Sequence, residues 1–256
     1  MHLAIKDALD ALERERGVRV LYAAESGSRA WGFASPDSDY DVRFLYVHPL
    51  NWYLRVGEAR DVQEAMLPGD LDLSGWELRK ALRLYAGCNL PLNEWLGSPL
   101  VYRERGTVAS QLRARMPAYF RPSHALFHYL NTARHSVRDH LNAEHVRLKK
   151  VFYALRPLLA CRWIEHARSQ PPTAFADLLA ADWVSADERV AIGELLRAKE
   201  AALESDRSPL SPWWRAWLAQ TIEHFEAIGP TLATKRQVSI HEFDPLLEQS
   251  VLHSGD

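Results

Sequence analysis

Apolar positions along the chain keep two different rhythms, mixed helix and strand periods in the first part and almost purely helical spacing afterwards. Leu3, Ile5, Ala8, Leu9 and Leu12 fall on one side of a helix over residues 3–16, with acids and bases elsewhere and Gly17 as its stop. Val18–Ala24 is β-rich and apolar and reads as the first strand. Gly27 then permits a tight turn into a short helix through Ala30–Trp31, and Ser35-Pro36-Asp37-Ser38 is turn chemistry. Asp41–Val47 is the second strand, with Asp41, Arg43 and Leu45 on one face and Val42, Phe44 and Tyr46 on the other. Between Pro49 and Gly69 the pattern is mixed and suggests strand pieces or a lid-like connection. Asp70–Leu73 reads as a short strand, Ser74-Gly75 leads into a helix over Glu77–Tyr85, and Pro91–Tyr102 forms the next unit.

From Ser110 onward strand signals fade. Helices are predicted over Ser123–Leu141, capped by Ser123, and over His145–Ala167, kinked at Pro157. Further helices fall at Phe175–Leu179, Glu188–Glu204 and Pro212–Ile228, the last with Pro212 in its first turn. Few packing signals follow Lys235, which reads as a loosely docked arm. The expected organisation is a catalytic α/β domain over 1–108, a helical domain over 109–235 and an arm over 236–256.

Composition changes this picture little. The 256 residues are 47% hydrophobic and 25% charged, enough for one or two cores. A net charge of −2 advertises no global affinity for nucleic acid, though a local patch would still bind it. Two cysteines, Cys88 and Cys161, without CxxC spacing argue against a disulfide scaffold or a zinc site. The amphipathic N-terminus is no signal peptide, and no run approaches the roughly 18 apolar residues of a membrane span. The expectation is a cytoplasmic protein.

Chemistry concentrates in Glu25–Phe44, ESGSRAWGFASPDSDYDVRF. Asp39 and Asp41 stand at i and i+2, which on a strand places both carboxylates on one face. Carboxylates so close repel unless a cation joins them, and Mg²⁺ is the hard ion that keeps positions for phosphate oxygens. A Gly27-Ser28 turn facing the pair offers N–H groups and a hydroxyl to a phosphate. A third carboxylate is expected from a neighbouring strand. Asp72 is the choice, a charge flanked by Leu71 and Leu73 that is costly to bury unless paired or bound to metal. Asp70, two residues earlier, shares or replaces that role in the alternative reading.

Gly27-Ser28, a ten-residue gap and Asp39-Tyr40-Asp41 are similar to the signature of the DNA polymerase beta nucleotidyltransferase superfamily. ESGSRAWGFASPDSDYDVRFLYV, LDLSGWELRKAL, NEWLGSPLVY and RLKKVFYALRPLLACRWIE resemble, in order, one family within it, the RlaP-type predicted nucleotidyltransferases named for an association with RNA repair. The resemblance implies an α+β fold, a polymerase-beta-like α/β domain with a mixed sheet followed by an all-helical C-terminal domain. It implies two Mg²⁺ ions, with Mn²⁺ as a substitute, held by Asp39, Asp41 and Asp72. It also implies an NTP, ATP favoured, with Gly27 and Ser28 on its phosphates. Arg29 either reaches phosphate or faces solvent, and Glu25 ties down the turn. The implied reaction is NMP transfer to a hydroxyl, an RNA end first. The alternatives are AMP transfer to a protein or small-molecule hydroxyl, in a toxin–antitoxin setting among others, and a nucleotide-binding regulatory module without turnover.

Outside this stretch, Lys149, Tyr153 and Arg156 fall at i, i+4 and i+7, and with Lys150 they form a cation–aromatic–cation face suited to a triphosphate and a base. Arg79 and Lys80 oppose the dipole at a helix start and face either an anion or solvent. His124 and His128, at i and i+4, lack a third metal ligand and read as surface or RNA-facing groups. Trp213, Trp214 and Trp217 read as packing.

Overall fold

A computed structural model of the chain describes all residues except 36, 58, 201–205, 234–237 and 253–256, together with the side chain of residue 200. One residue of the Ser35–Ser38 turn, the end of the helix expected to Glu204 and the junction at 235/236 lie outside the described residues. The chain forms two compact units. One contains residues 1–30, 39–119 and 237–256, and the other contains 31–38 and 120–236. The division falls after residue 119, not at 108, and the C-terminal segment belongs to the first unit.

The first unit opens with α1 (His2–Arg16), stopped by Gly17 at a left-handed φ of 61°. It continues through β1 (Arg19–Glu25), α2 (Gly27–Trp31), β2 (Tyr40–Val47), α3 (Leu50–Tyr53), β3 (Val62–Leu67), β4 (Leu71–Glu77), α4 (Leu78–Ala86), α5 (Leu90–Leu96), β5 (Val101–Glu104) and α6 (Val108–Tyr119). The sheet order is β3-β4-β2-β1-β5, with β2 and β4 parallel and the other pairs antiparallel, so the sheet is mixed. Ser74 and Gly75 belong to β4 and do not start the helix. Gly75 is required there because a Cβ would strike the Phe44 ring across the strand pair. The helix starts after Glu77, whose carboxylate caps it by accepting from the Arg79 and Lys80 N–H groups. Alternation in β2 decides the layers. Val42, Phe44 and Tyr46 pack with Ile5, Leu9 and Leu12 of α1, and Leu45 and Val47 pack with Leu78, Leu82 and Tyr85 of α4.

The second unit contains α7 (Pro122–His140), β6 (His145–Arg147), α8 (Leu148–Ala167), α9 (Phe175–Ala180), α10 (Ala186–Glu200), β7 (Arg207–Pro209) and α11 (Pro212–Ile228). It is not wholly helical: β6 and β7 form an antiparallel ribbon, and the helix expected from His145 starts at Leu148. The cap of α7 is Arg121 and not Ser123, whose hydroxyl donates instead to the Gly229 carbonyl. Segment 31–38 is held here by rings of Trp31, Phe33, Phe152 and Phe175. Buried Lys199 donates to the Phe33 carbonyl and, at 2.9 Å, to Ser35 Oγ. Trp214 is buried as a packing residue, whereas Trp213 is exposed.

The chain then returns to the first unit as a short 3₁₀ turn over Ile240–Phe243 and α12 (Asp244–Leu252). This segment is no loose arm. Phe243 lies between Tyr85 and Tyr119, Leu246 and Val251 are buried with it, and Tyr119 Oη donates to the Ser239 carbonyl and Glu242.

Candidate active site

Parallel pairing of β2 with β4 places Tyr40 opposite Leu71 and Asp41 opposite Asp72. Partners in register point to the same face of a sheet whose strands lie about 4.8 Å apart, so the two carboxylates stand side by side. Arg43, two residues along on that face, lies against both: its Nη2 is 2.9 Å from Asp41 Oδ1 and 2.8 Å from Asp72 Oδ2. Arg43 Nη1 also donates to the Asp72 carbonyl at 3.3 Å. Like charges in register repel, and the guanidinium offsets that repulsion.

Asp39 lies outside this pair. It precedes β2, so strand alternation does not govern it; its side chain is exposed and its carbonyl accepts from Arg29 Nε at 3.0 Å. The Arg29 guanidinium also stacks on the Tyr40 ring, 3.7 Å from its centroid. Asp70 precedes β4, which begins at Leu71. It has a φ of 55° in the turn before β4, and its carbonyl accepts from the Tyr40 N–H. Among the described residues no group of three His, Cys, Asp or Glu side chains stands together as a metal site.

The turn is shaped around Asp41. Gly27 has a φ of 61°, and a Cβ there would lie 3.3 Å from Asp41 Cγ and collide with Oδ2. Only glycine leaves that oxygen uncovered. Gly27→Ala is therefore expected to cost about 1–3 kcal/mol in urea unfolding, because it adds left-handed strain to the collision. Unchanged stability would remove this account of Gly27. Ser28, at the start of α2, is buried.

Beneath the turn lies Glu25, fully buried. Its Oε1 accepts from the Asp41 N–H at 2.9 Å, its Oε2 from Tyr102 Oη, and its carbonyl from Ser98 Oγ at 2.7 Å. These bonds tie β1, β2 and β5 together under the carboxylate pair. Burial raises the Glu25 carboxyl above its ordinary 4.5, against the opposing pull of the Tyr102 and Asp41 bonds. An acid with a raised folded pKa stabilises the fold fully below its unfolded value and loses that contribution as pH rises through the folded value. Glu25→Gln keeps an oxygen for the Asp41 N–H and removes the titration. Its stability relative to the parent should thus climb from pH 4 towards neutrality, and a pH-independent difference would refute a buried titrating carboxyl.

The basic face of α8 lies in the second unit and divides. Lys149 and Tyr153 are half-buried, and Lys150 Nζ lies 5.2 Å from the Tyr153 ring centroid. Arg156 is 1% exposed: it donates to the Thr173 carbonyl and lies over the Trp31 ring. It is therefore a packing cation and not part of an open phosphate-binding face. Two residues of the carboxylate site escape the sequence reading. Arg43 carried the same signal as Asp72, a charge within an apolar strand, and Tyr102 carried none.

Comparison with known proteins places the chain among polymerase-β-type nucleotidyltransferases. It belongs to the RlaP family, the RNA repair pathway DNA polymerase beta family, which it matches over residues 1–249. It is 48% identical over 207 residues to YcgL, an uncharacterized protein of Bacillus subtilis (strain 168), covering 81% of this chain and 77% of that one. A nucleotidyltransferase-like protein from Exiguobacterium sibiricum 255-15, of known crystal structure, covers 89% of this chain and 75% of its own. At 14% identity and a TM-score of 0.31 it is too distant to place any residue. No helix among the described residues is long and apolar enough to cross a membrane.

Proposed function

We propose that the protein transfers a nucleoside monophosphate from an NTP to a hydroxyl, with an RNA end as the acceptor. The observation that carries the reading is the in-register pair Asp41 and Asp72, with one Asp41 oxygen left uncovered by Gly27. Two hard carboxylate oxygens side by side are a donor set that suits Mg²⁺ or Mn²⁺, and Asp39 would complete it from the loop. A bound divalent ion would supply charge neutralisation for the triphosphate and a more acidic acceptor hydroxyl. The acceptor oxygen bonds to the α-phosphorus as the bond to pyrophosphate breaks, and the Asp72 carboxylate is the acceptor for the hydroxyl proton. Ser28 would hold the phosphates of the NTP. A nucleotide role for Lys149, Lys150 and Tyr153 rests on the sequence resemblance, and the family description supports an RNA acceptor.

The test is incubation with each of four α-³²P-labelled NTPs, Mg²⁺ and a mixture of tRNA and total protein. Label on RNA is expected. Label on protein would replace the acceptor, and no label with any nucleotide or metal would sink the reaction.

A further inference from the structure

Beyond the carboxylate pair, the first unit carries a polar cavity of about 400 Å³ at the far end of β4. Asp72 is the second residue of that strand and Glu77 its last. Five residues at about 3.3 Å separate the carboxylate pair from the cavity by roughly 16 Å. That is too far for the phosphates of a nucleotide reacting at Asp41 and Asp72.

Four cations line the cavity: Arg55, following α3, and Arg79, Lys80 and Arg83 of α4. Arg79 and Arg83 are at i and i+4, so they share one helix face. Among the described residues the cavity contains two carboxylates, Asp61 and Glu77, and both are committed. Asp61 takes Lys80 Nζ at 2.8 Å, while Glu77 accepts from the Arg79 and Lys80 N–H groups and, at 2.6 Å, from Tyr53 Oη. Among the described residues no carboxylate pairs with the guanidinium of Arg55, Arg79 or Arg83. Three guanidiniums around one cavity, without a carboxylate partner among the described residues, form a fork-shaped set of donors for phosphate oxygens. Aromatic walls accompany them. Arg79 lies 4.9 Å over the Tyr53 ring, and Trp52 is stacked on His48 at 4.2 Å. Aromatic faces beside cations are how single strands hold bases without reading sequence.

We infer that this basin is a second nucleotide-binding site, which takes a phosphate on Arg55, Arg79 and Arg83 and a base against Trp52 or Tyr53. The phosphate belongs either to a free nucleotide or to a strand whose reacting end lies elsewhere. Its use as a docking point for the acceptor rests on the transfer reading above; the binding itself does not.

The test is fluorescence anisotropy of a labelled single-stranded RNA 12-mer on the full chain, in EDTA and without NTP, with AMP as competitor. The double variant Arg55→Glu/Arg83→Glu changes two exposed positions, and its thermal melt reports whether it folds. Binding should weaken by about 10-fold or more, and the slope of log K against log salt should fall by about 0.7 for each phosphate that the variant no longer neutralises. Asp41→Asn should bind like the parent. Competition by AMP at its own affinity would identify a free-nucleotide site, and failure of AMP to compete would identify strand docking. A folded double variant that binds like the parent would overturn the basin, as would a parent that binds neither RNA nor AMP. RNA binding lost in the double variant while no label is ever transferred would keep the basin and sink the reaction. Transfer with unaltered RNA binding in the double variant would do the reverse.

Discussion

Asp41→Asn is expected to lower nucleotidyl transfer by about 10³-fold or more, equivalent to about 4 kcal/mol of barrier. The substitution keeps the shape of the side chain, so the cost falls on charge. Asp41 is the residue around which the turn is built: its N–H is held by Glu25, its carbonyl accepts from Ser26, and its Oδ2 is the atom that Gly27 leaves uncovered. Asparagine preserves the backbone bonds and presents one neutral oxygen where two charged ones stood, halving the harder part of the donor set. Because Arg43 keeps Asp72 as a partner, the variant should remain folded, with a melting temperature close to the parent's. Label transfer under saturating NTP and Mg²⁺ checks the prediction. A loss below 10-fold would remove Asp41 from the chemistry.

Arg43→Ala should separate stability from metal binding. In the parent the guanidinium holds Asp41 and Asp72 at 2.9 and 2.8 Å, and its side chain is 19% exposed. Removing it leaves two carboxylates opposite each other with no cation between them. Charged hydrogen bonds of this kind are worth about 2 kcal/mol, so the melting temperature without divalent ions should fall by about 6 °C. The same change removes the competitor for the carboxylate oxygens. Ligand that binds only the folded state raises its stability with the logarithm of its affinity, so millimolar Mg²⁺ should raise the melting temperature of the variant more than that of the parent. An equal Mg²⁺ shift in both proteins would show that the ion and Arg43 do not contend for the same oxygens.

Much of the carboxylate site was legible because its cost is written in the residues. Asp72 stands out as a charge between leucines, and Gly27 as a residue free to turn where Asp41 must come close. What sequence could not show was the partner strand: the pairing of β2 with β4 crosses over the β3 hairpin, and register across a parallel pair leaves no local mark. Strand alternation groups Asp39 with Asp41, and Asp39 stands one residue before β2, which begins at Tyr40. Helical spacing groups Arg156 with Lys149 and Tyr153 on a triphosphate-binding face. Yet α8 buries residues on every side, including Val151, Phe152, Leu155, Leu158 and Leu159, so it offers no purely solvated face. Three-residue strands such as β6 and β7 are too short to show a period. The final helix was underestimated because Phe243, Leu246 and Val251 are few, though each contributes about 2 kcal/mol once buried.

That final helix affects the order in which the protein can be made. Residues 239–251 complete the core beneath the sheet, so the unit bearing Asp41 and Asp72 is assembled from segments lying before and after the whole helical stretch. Contacts this distant along the chain close late and slowly. On the ribosome, residues 120–236 emerge and can collapse as a unit while the sheet still lacks Phe243 against Tyr85 and Tyr119. The nascent sheet therefore waits with an apolar face uncovered, and the carboxylate pair gains its finished support only once translation has passed residue 251.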